Sequence, residues 1–243
     1  MGEAGFFTIL NTVDSTNNYA MARLQDGLAE HGMLWFANEQ TAGKGQRGKT
    51  WTTEKGKNIA MSLVLAPEKL QITNQFHLSA AVALSCFEFF AAHAGDETKI
   101  KWPNDLFWRD RKAGGVLIEN KFQGKIWKWA VVGIGININQ TRFDENLVNP
   151  VSLKQITGKT FDTIGLAKEL YALLMKNLAE MRSANLVMEQ YNEQLYKVNK
   201  QVTLKKREQE FDTVIKGVTS EGKLLTVDAL ERQFDFGEVE WVL

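Results

Sequence analysis

Hydrophobic and polar positions along the chain follow two periods, and the switches between them mark the elements. In "NIAMSLVLA", Ile59, Met61, Leu63 and Leu65 recur at a spacing of two, which predicts a strand. The apolar run "GMLWFANE" (32–39) predicts a buried strand before it. Residues 74–93 are apolar almost all round at helical spacing, so a long helix covered on most sides is expected. An earlier helix opens after "TVDST", capped at Asp14 or Ser15, and runs to about Leu28. The runs "TKIKW", "DLFWR", "GGVLIENKF" and "KIWKWAVVGIGINI" read as strands, the last two joined by "QGK", a hairpin signal. A second helical block over 162–195 begins at a cap on Asp162 and carries Leu166, Leu170, Leu174 and Leu178. From about residue 196 short strands alternate with turns such as "SEGK". The fold class expected is α+β: a mixed, largely antiparallel sheet with packed helices over 1–195, then a small β-barrel-like module over 196–243.

Composition narrows the function classes. With 29 basic and 29 acidic residues the chain has no overall electrostatic footprint for nucleic acid, so anion recognition must be local. The lone Cys86 excludes an intramolecular disulfide framework and fits a reducing compartment, hence a cytoplasmic location. It lies in the apolar helix and reads as a core residue rather than a nucleophile. His31, His77 and His93 show no metal-ligand spacing. "MGEAGFF" lacks the features of a signal peptide, and no stretch is expected to reach transmembrane length, so no membrane partner is expected.

The loop "GKGQRGKT" (43–50) matches two nucleotide motifs at once. Gly43, Gly48, Lys49 and Thr50 fit G-x-x-x-x-G-K-[ST], and the first six residues fit G-x-G-x-x-G. Both motifs hold phosphates on the N-terminus of the helix that follows. Here "WTTEKGKN" follows, β-branched and interrupted by Gly56, and it leads into a strand. "GIGININ" (133–139) has Ile138 where a second fingerprint needs glycine. A basic, glycine-rich loop between strands remains, with Lys44, Arg47, Lys49, Lys55 and Lys57 against Glu54.

Four other segments also place polar groups where a strand or helix meets a turn. "DSTNNYA" puts Ser15, Thr16 and Asn17 at a helix start, where they can cap the helix or hold an amide-like ligand. "KWPNDL" places Pro103, Asn104 and Asp105 in good turn chemistry. "DRKAGGVLIE" sets Lys112 beside Gly114 and Gly115, and "VVGIGININ" offers Gly133, Gly135, Asn137 and Asn139.

In this order and at these spacings, "STN", "EQTAGKGQRGKTW", "KWPND", "RKAGGVLIE" and "GIGININ" resemble a biotin protein ligase over residues 8–140, and the tail does so more loosely. The resemblance implies a catalytic domain related to lipoate ligases, followed by an SH3-like domain. With "STN" starting at Ser15, it is to the monofunctional form rather than to members with an N-terminal helix-turn-helix. It also implies two steps with ATP and biotin as substrates and Mg²⁺ on the pyrophosphate. Biotin's carboxylate attacks the α-phosphate to give biotinyl-5′-AMP, and a lysine of a biotin carboxyl carrier protein then displaces AMP.

The roles that follow are those of the resemblance. Ser15, Thr16, Asn17, Gln40, Gly43, Lys44, Gly45, Gln46, Lys112 and Gly115 hold biotin. Lys44, Arg47, Lys49, Trp51, Asn104 and Asn137 hold the nucleotide, and Lys112, Asp105 and Arg47 are catalytic. Lys112 bridges carboxylate and phosphate, while Asp105 takes the acceptor's proton or orients its amine. Trp51 and Trp102 either wall the pocket or belong to the core. The family's usual loop has arginines where Lys44, Gln46 and Lys49 stand, so charge is kept at 44 and 49 and lost at 46. A lipoate or octanoyl transfer enzyme of the same fold and a P-loop kinase are the alternatives. A homodimer through an exposed strand edge is left open.

Overall fold

The computed structural model describes residues 6–70, 74–180 and 183–242. Its main sheet contains β1 (Phe7–Leu10), β2 (Leu34–Ala37), β3 (Ile59–Leu65), β4 (Thr98–Lys101), β5 (Asp105–Trp108), β6 (Arg111–Gln123) and β7 (Ile126–Ile136). The strands lie in the order β1-β2-β3-β7-β6-β5-β4, and only the β1–β2 pair is parallel. Strands β4 to β7 form a meander because short turns join them and leave neighbours in sequence as neighbours in space. This is the mixed, largely antiparallel sheet that the alternation predicted.

Helices cover both faces of its centre, which is why every residue of β3 is buried. Ile59, Met61, Leu63 and Leu65 join Ile134, Ile136 and Val116 against α2 (Gln75–Ala94). On the other face Val64 and Val131 meet Ala20 and Leu24 of α1 (Thr16–Gln25). Three further helices follow: α3 (Leu153–Thr157), α4 (Thr163–Glu180) and α5 (Ala184–Glu193). α4 and α5 pack on α2, so α2 is enclosed on most sides, as its continuous apolarity required. By length and composition alone α2 is apolar enough to cross a membrane, contrary to expectation. Its apolar residues are spent on the core instead. Cys86 is buried within it, and burial pushes its thiol up to about 12, which suits a packing residue and not a nucleophile.

Local chemistry explains where boundaries differ from the sequence reading. α1 stops at Gln25, before Leu28, where Asp26-Gly27 turns the chain. Ser15 is its N-cap residue but makes no side-chain cap bond, and Asp14 instead accepts from Asn18 Nδ2 at 2.5 Å. The block expected over 162–195 is two helices, with Ser183 accepting from the Leu186 amide to start α5. α3 was not anticipated, although its capping box, Ser152 with Gln155, is written in the sequence.

Five strands form a second antiparallel sheet: β8 (Gln201–Lys206), β9 (Gln209–Val218), β10 (Leu224–Val227), β11 (Glu231–Phe234) and β12 (Glu240–Trp241). Their order is β11-β10-β9-β8-β12, and the sheet is open. Leu204, Ile215, Val218, Leu224 and Phe234 merge with the core of the first sheet. Asn192 of α5 pins β9 by donating to the Val218 carbonyl (3.1 Å) and accepting its amide (2.7 Å). The Trp102 indole donates to Gly222 O at 2.9 Å and its ring packs on Phe236. Trp102 is therefore a buried seam residue between the sheets, and not a pocket wall.

Gly222 lies at φ +89°, and a Cβ there would stand 2.5 Å from Phe76 Cδ2. Gly124 is also left-handed, at φ +60°, but faces open space. Both alanine variants carry a left-handed backbone cost of about 1–2 kcal/mol. Gly222→Ala should lose about 1–3 kcal/mol more through overpacking, seen as a lower urea midpoint than Gly124→Ala. Equal midpoints would mean that the turn moves freely away from Phe76.

Candidate active site

Register builds a clear floor on the α1 face of the sheet. Ala60, Gly135, Gly115, Asp105 and Lys101 are cross-strand partners in one row from β3 to β4. The next row sets Ser62, Gly133 and Leu117 side by side. Side chains alternate faces along a strand, so both rows point away from α2. The glycines are required by what lies over them. A Cβ at Gly133 would collide with the Asn17 amide, and one at Gly135 would meet Trp51 Cε2 at 2.5 Å.

Lys112 reaches this face through an irregularity. Leu106 pairs with Gly114 but Phe107 pairs with Lys112, so Ala113 is an extra residue in β6. Without that bulge, alternation would send Lys112 toward α2; with it, Lys112 shares the face of Phe107 and Asp105. The result is an ion pair, Lys112 Nζ to Asp105 Oδ1 at 2.7 Å, with both side chains about a third exposed. Gly115 leaves room for the pair: a Cβ there would be 3.0 Å from that same carboxylate oxygen. At such exposure solvent screens the pair, so it is a preset arrangement of charge more than a source of stability.

At the other end of the floor the start of α1 supplies a buried polar cluster. Gln40 Oε1 accepts from the Thr16 amide (2.8 Å) and hydroxyl (3.1 Å). The Ser62 hydroxyl lies 2.7 Å from Thr16 Oγ1 and 2.5 Å from Asn17 Oδ1. Asn17 Nδ2 donates to Glu119 at 2.8 Å. Ser15, Thr16, Asn17 and Ser62 are all buried, so hydroxyls and amides line this end in place of water.

The glycine-rich loop is a tight hairpin. Trp51 N donates to Gly43 O (2.8 Å), Gly45 N to Lys49 O (2.6 Å), and Lys44 bridges Thr50. A Cβ at Gly43 would collide with the Trp51 carbonyl. Only a short 3₁₀ turn, Gln46–Gly48, closes the hairpin, so no helix N-terminus cradles a phosphate here. Lys44 pairs with Glu119 at 3.5 Å, and Gln46 donates to the Val116 carbonyl at 3.4 Å. Arg47, at φ +55°, extends to Gly237 O at 3.4 Å. The loop lays the Trp51 ring over Gly135, with its Nε1 buried and unpaired among the described residues.

The site therefore gathers Thr16, Asn17, Gln40, Gly43, Lys44, Gln46, Trp51, Asp105, Lys112 and Gly115 around one floor. Asn104 and Asn137 sit lower, each committed to a carbonyl: Asn104 donates to Val116 O at 2.6 Å and Asn137 to Val151 O at 3.2 Å. Gln46 and Asn104 also border an open cleft of about 580 Å³, which continues past Phe76 and Asn120 to Glu221. Lys44, Arg47, Lys49 and Lys112 outnumber Asp105 and Glu119, so the site as a whole attracts anions.

Ser62, Glu119 and Lys101 were not anticipated. Ser62 is hidden inside an apolar strand, though its alternation with Ala60 and Val64 marks it as facing α1. Lys101 lies in the quoted "KWPND" and faces Asp105 across the β4–β5 turn. Burial lowers its ammonium to about 8, reinforced by Lys112 and Lys49 and opposed by Asp105.

Comparison with known proteins gives this geometry a family. A family model described as "Biotin/lipoate A/B protein ligase family" matches residues 9–137. The bifunctional ligase/repressor BirA of Bacillus spizizenii is 35% identical over 170 residues, 68% of this chain and 52% of its own length. The chain thus spans about half the length of that curated relative. The biotin--[acetyl-CoA-carboxylase] ligase of Paracoccus denitrificans is 34% identical over 161 residues, 63% of this chain and 65% of its own. Among solved structures, the biotin protein ligase of Aquifex aeolicus in complex with biotin and ATP aligns with a TM-score of 0.81 at 25% identity, covering 96% of this chain and 97% of that one. With more than half of its residues under the family model and the glycine floor built from those residues, the chain belongs to the biotin/lipoate A/B protein ligase family.

Proposed function

We propose that the chain is a biotin protein ligase that activates biotin with ATP and transfers it to a lysine of a biotin carboxyl carrier protein. The observation that carries this reading is the floor itself: buried hydroxyls and amides at one end, the Lys112–Asp105 pair at the other. The amide-rich end suits a ureido ring, whose burial demands several hydrogen bonds. Residues Ser15 to Asn17 and Gln40 would hold that ring, and Gly43 to Gln46 with Gly115 would flank the chain leading to the carboxylate. The bare strand surface at Gly115 lets that chain reach Lys112.

In the first step two anions must meet, and fixed cations lower that barrier. Lys112 stands where carboxylate and α-phosphate converge, and Lys44, Arg47 and Lys49 add positive field from the loop. Trp51, Asn104 and Asn137 would take the nucleotide. The carboxylates at the site, Asp105 and Glu119, are each paired with a lysine, and no acidic cluster able to hold a metal occurs among the described residues. Mg²⁺ would offset the charge of the phosphate oxygens, held mainly by them and by water. In the second step Asp105 orients the acceptor amine.

The segment 1–195 is the catalytic domain in this reading and 196–243 an SH3-like domain, supported by the antiparallel order of the second sheet. The decisive experiment is the mass of a carrier domain incubated with the protein. It should rise only when biotin and ATP are both present; a rise with lipoate and none with biotin would overturn the reading.

Lys112→Ala should slow biotin-dependent pyrophosphate release roughly 10²–10³-fold, as loss of one preorganised electrostatic donor does. Near-normal release would remove Lys112 from the reaction. Asp105→Asn should slow transfer from preformed biotinyl-AMP more than it slows adenylation; equal slowing would move Asp105 to the nucleotide. Arg47→Gly frees the hairpin tip from Gly237, so biotinyl-AMP should escape and label bystander lysines while adenylation continues. Bystander labelling at the wild-type level would show that the tip retains nothing.

A further inference from the structure

Resting on the ligase reading, we infer that Lys101 is the general base of the transfer step, taking a proton from the acceptor lysine that Asp105 orients. The geometry comes first. Lys101 is the direct cross-strand partner of Asp105, on the face that carries Gly115 and Gly135, at the end of the floor where the activated carboxyl would lie. Its ammonium sits 4.8 Å from the Phe107 ring centroid and 5.3 Å from that of Trp241. Neither a carboxylate ion pair nor a hydrogen bond holds it among the described residues, unlike Lys112 and Lys44. The charges that act on it are Asp105 on β5, Lys112 on β6 and Lys49 on the loop, while β12 brings only the Trp241 ring.

Magnitudes separate the two candidate bases. An ordinary lysine holds its proton with a pKa of about 10.4, and an ordinary aspartate near 3.9. Handing that proton to a carboxylate is unfavourable by more than about a million-fold. Lys101 is lowered to about 8, first by burial and then by its cationic neighbours, so the deficit falls to roughly a few hundred-fold. At pH 7.5 roughly a quarter of such a group is already neutral and able to accept. A carboxylate paired at 2.7 Å with Lys112 is better placed to orient the ammonium than to deprotonate it.

The step balances without a further reactant. The acceptor ammonium gives one proton to the neutral Lys101 amine, and the freed amine attacks the biotinyl carbonyl. The C–N bond forms, the C–O bond to phosphate breaks, and the electron pair leaves with AMP. The second nitrogen proton departs to the AMP phosphate or water, and Lys101 then returns its proton to solvent.

The test is single-turnover transfer from preformed biotinyl-AMP to a biotin carboxyl carrier domain across pH 6.5–9.5, alongside pyrophosphate release from biotin and ATP. The wild-type transfer rate should climb with pH through an inflection near 8, because only the neutral amine can accept. Lys101→Arg and Lys101→Met should both lose transfer about 10²-fold, the lower end for a general base, and lose that inflection. Adenylation should stay within about threefold in both, which also reports that they fold. Hydroxylamine, already neutral at pH 7.5, should capture the biotinyl group equally well from wild type and both variants. Transfer rescued by arginine but not methionine would make Lys101 a phosphate-binding cation and overturn the inference. Adenylation and transfer lost together, or an inflection that survives in either variant, would overturn it as well. Absence of biotinyl-AMP from the wild-type reaction would instead sink the ligase reading itself.

Discussion

Everything at the site depends on one steric constraint: a strip of the central sheet carries side chains on one face only. At Gly115, Gly133 and Gly135 the α1 face is bare backbone, while alternate residues Val116, Ile134 and Ile136 fill the opposite face against α2. Glycine weakens a strand because it leaves the unfolded chain more freedom and packs nothing. The sheet tolerates it here because β3 and β6 flank β7 throughout the stretch and the α2 face is tightly packed. The bare strip lets Asn17 and Trp51 rest on the strands, and it leaves Asp105 and Lys112 within reach of whatever lies along it.

Charge is arranged on that floor by pairing. The bulge at Ala113 turns Lys112 onto Asp105, and the loop turns Lys44 onto Glu119. Both lysines are held in place by their partners, which suits the encounter of anions proposed above. Lys101 is treated differently, boxed by rings and not by a carboxylate contact. The same face of the sheet thus holds a lysine fixed on a carboxylate and another whose amine burial makes easier to neutralise.

Much of this was legible in the chain, for identifiable reasons. Strand alternation in "NIAMSLVLA" and the uniform apolarity of 74–93 gave the layers, because burial on both sides leaves a direct trace in residue type. The β-branched "WTTEKGKN" correctly ruled out a phosphate-binding helix after the glycine loop. What stayed hidden depends on contacts between distant segments. The reversal of Lys112 by a bulge needs the β5–β6 register, and nothing local in "DRKAGG" reveals it. Trp102 was ambiguous until Gly222 and Phe236, far along the chain, were seen to hold it. Lys101 was passed over because a lysine in a turn motif looks solvated. Its environment comes from Phe107 and Trp241.

That last contact also sets an order of events during synthesis. Among the described residues that border the floor Trp241 is made last, and Arg47 waits for Gly237 to complete its own contact. The residues of the glycine floor and of the Lys112–Asp105 pair are all made before the ring that covers Lys101. Its surroundings are therefore completed later than the floor beside it.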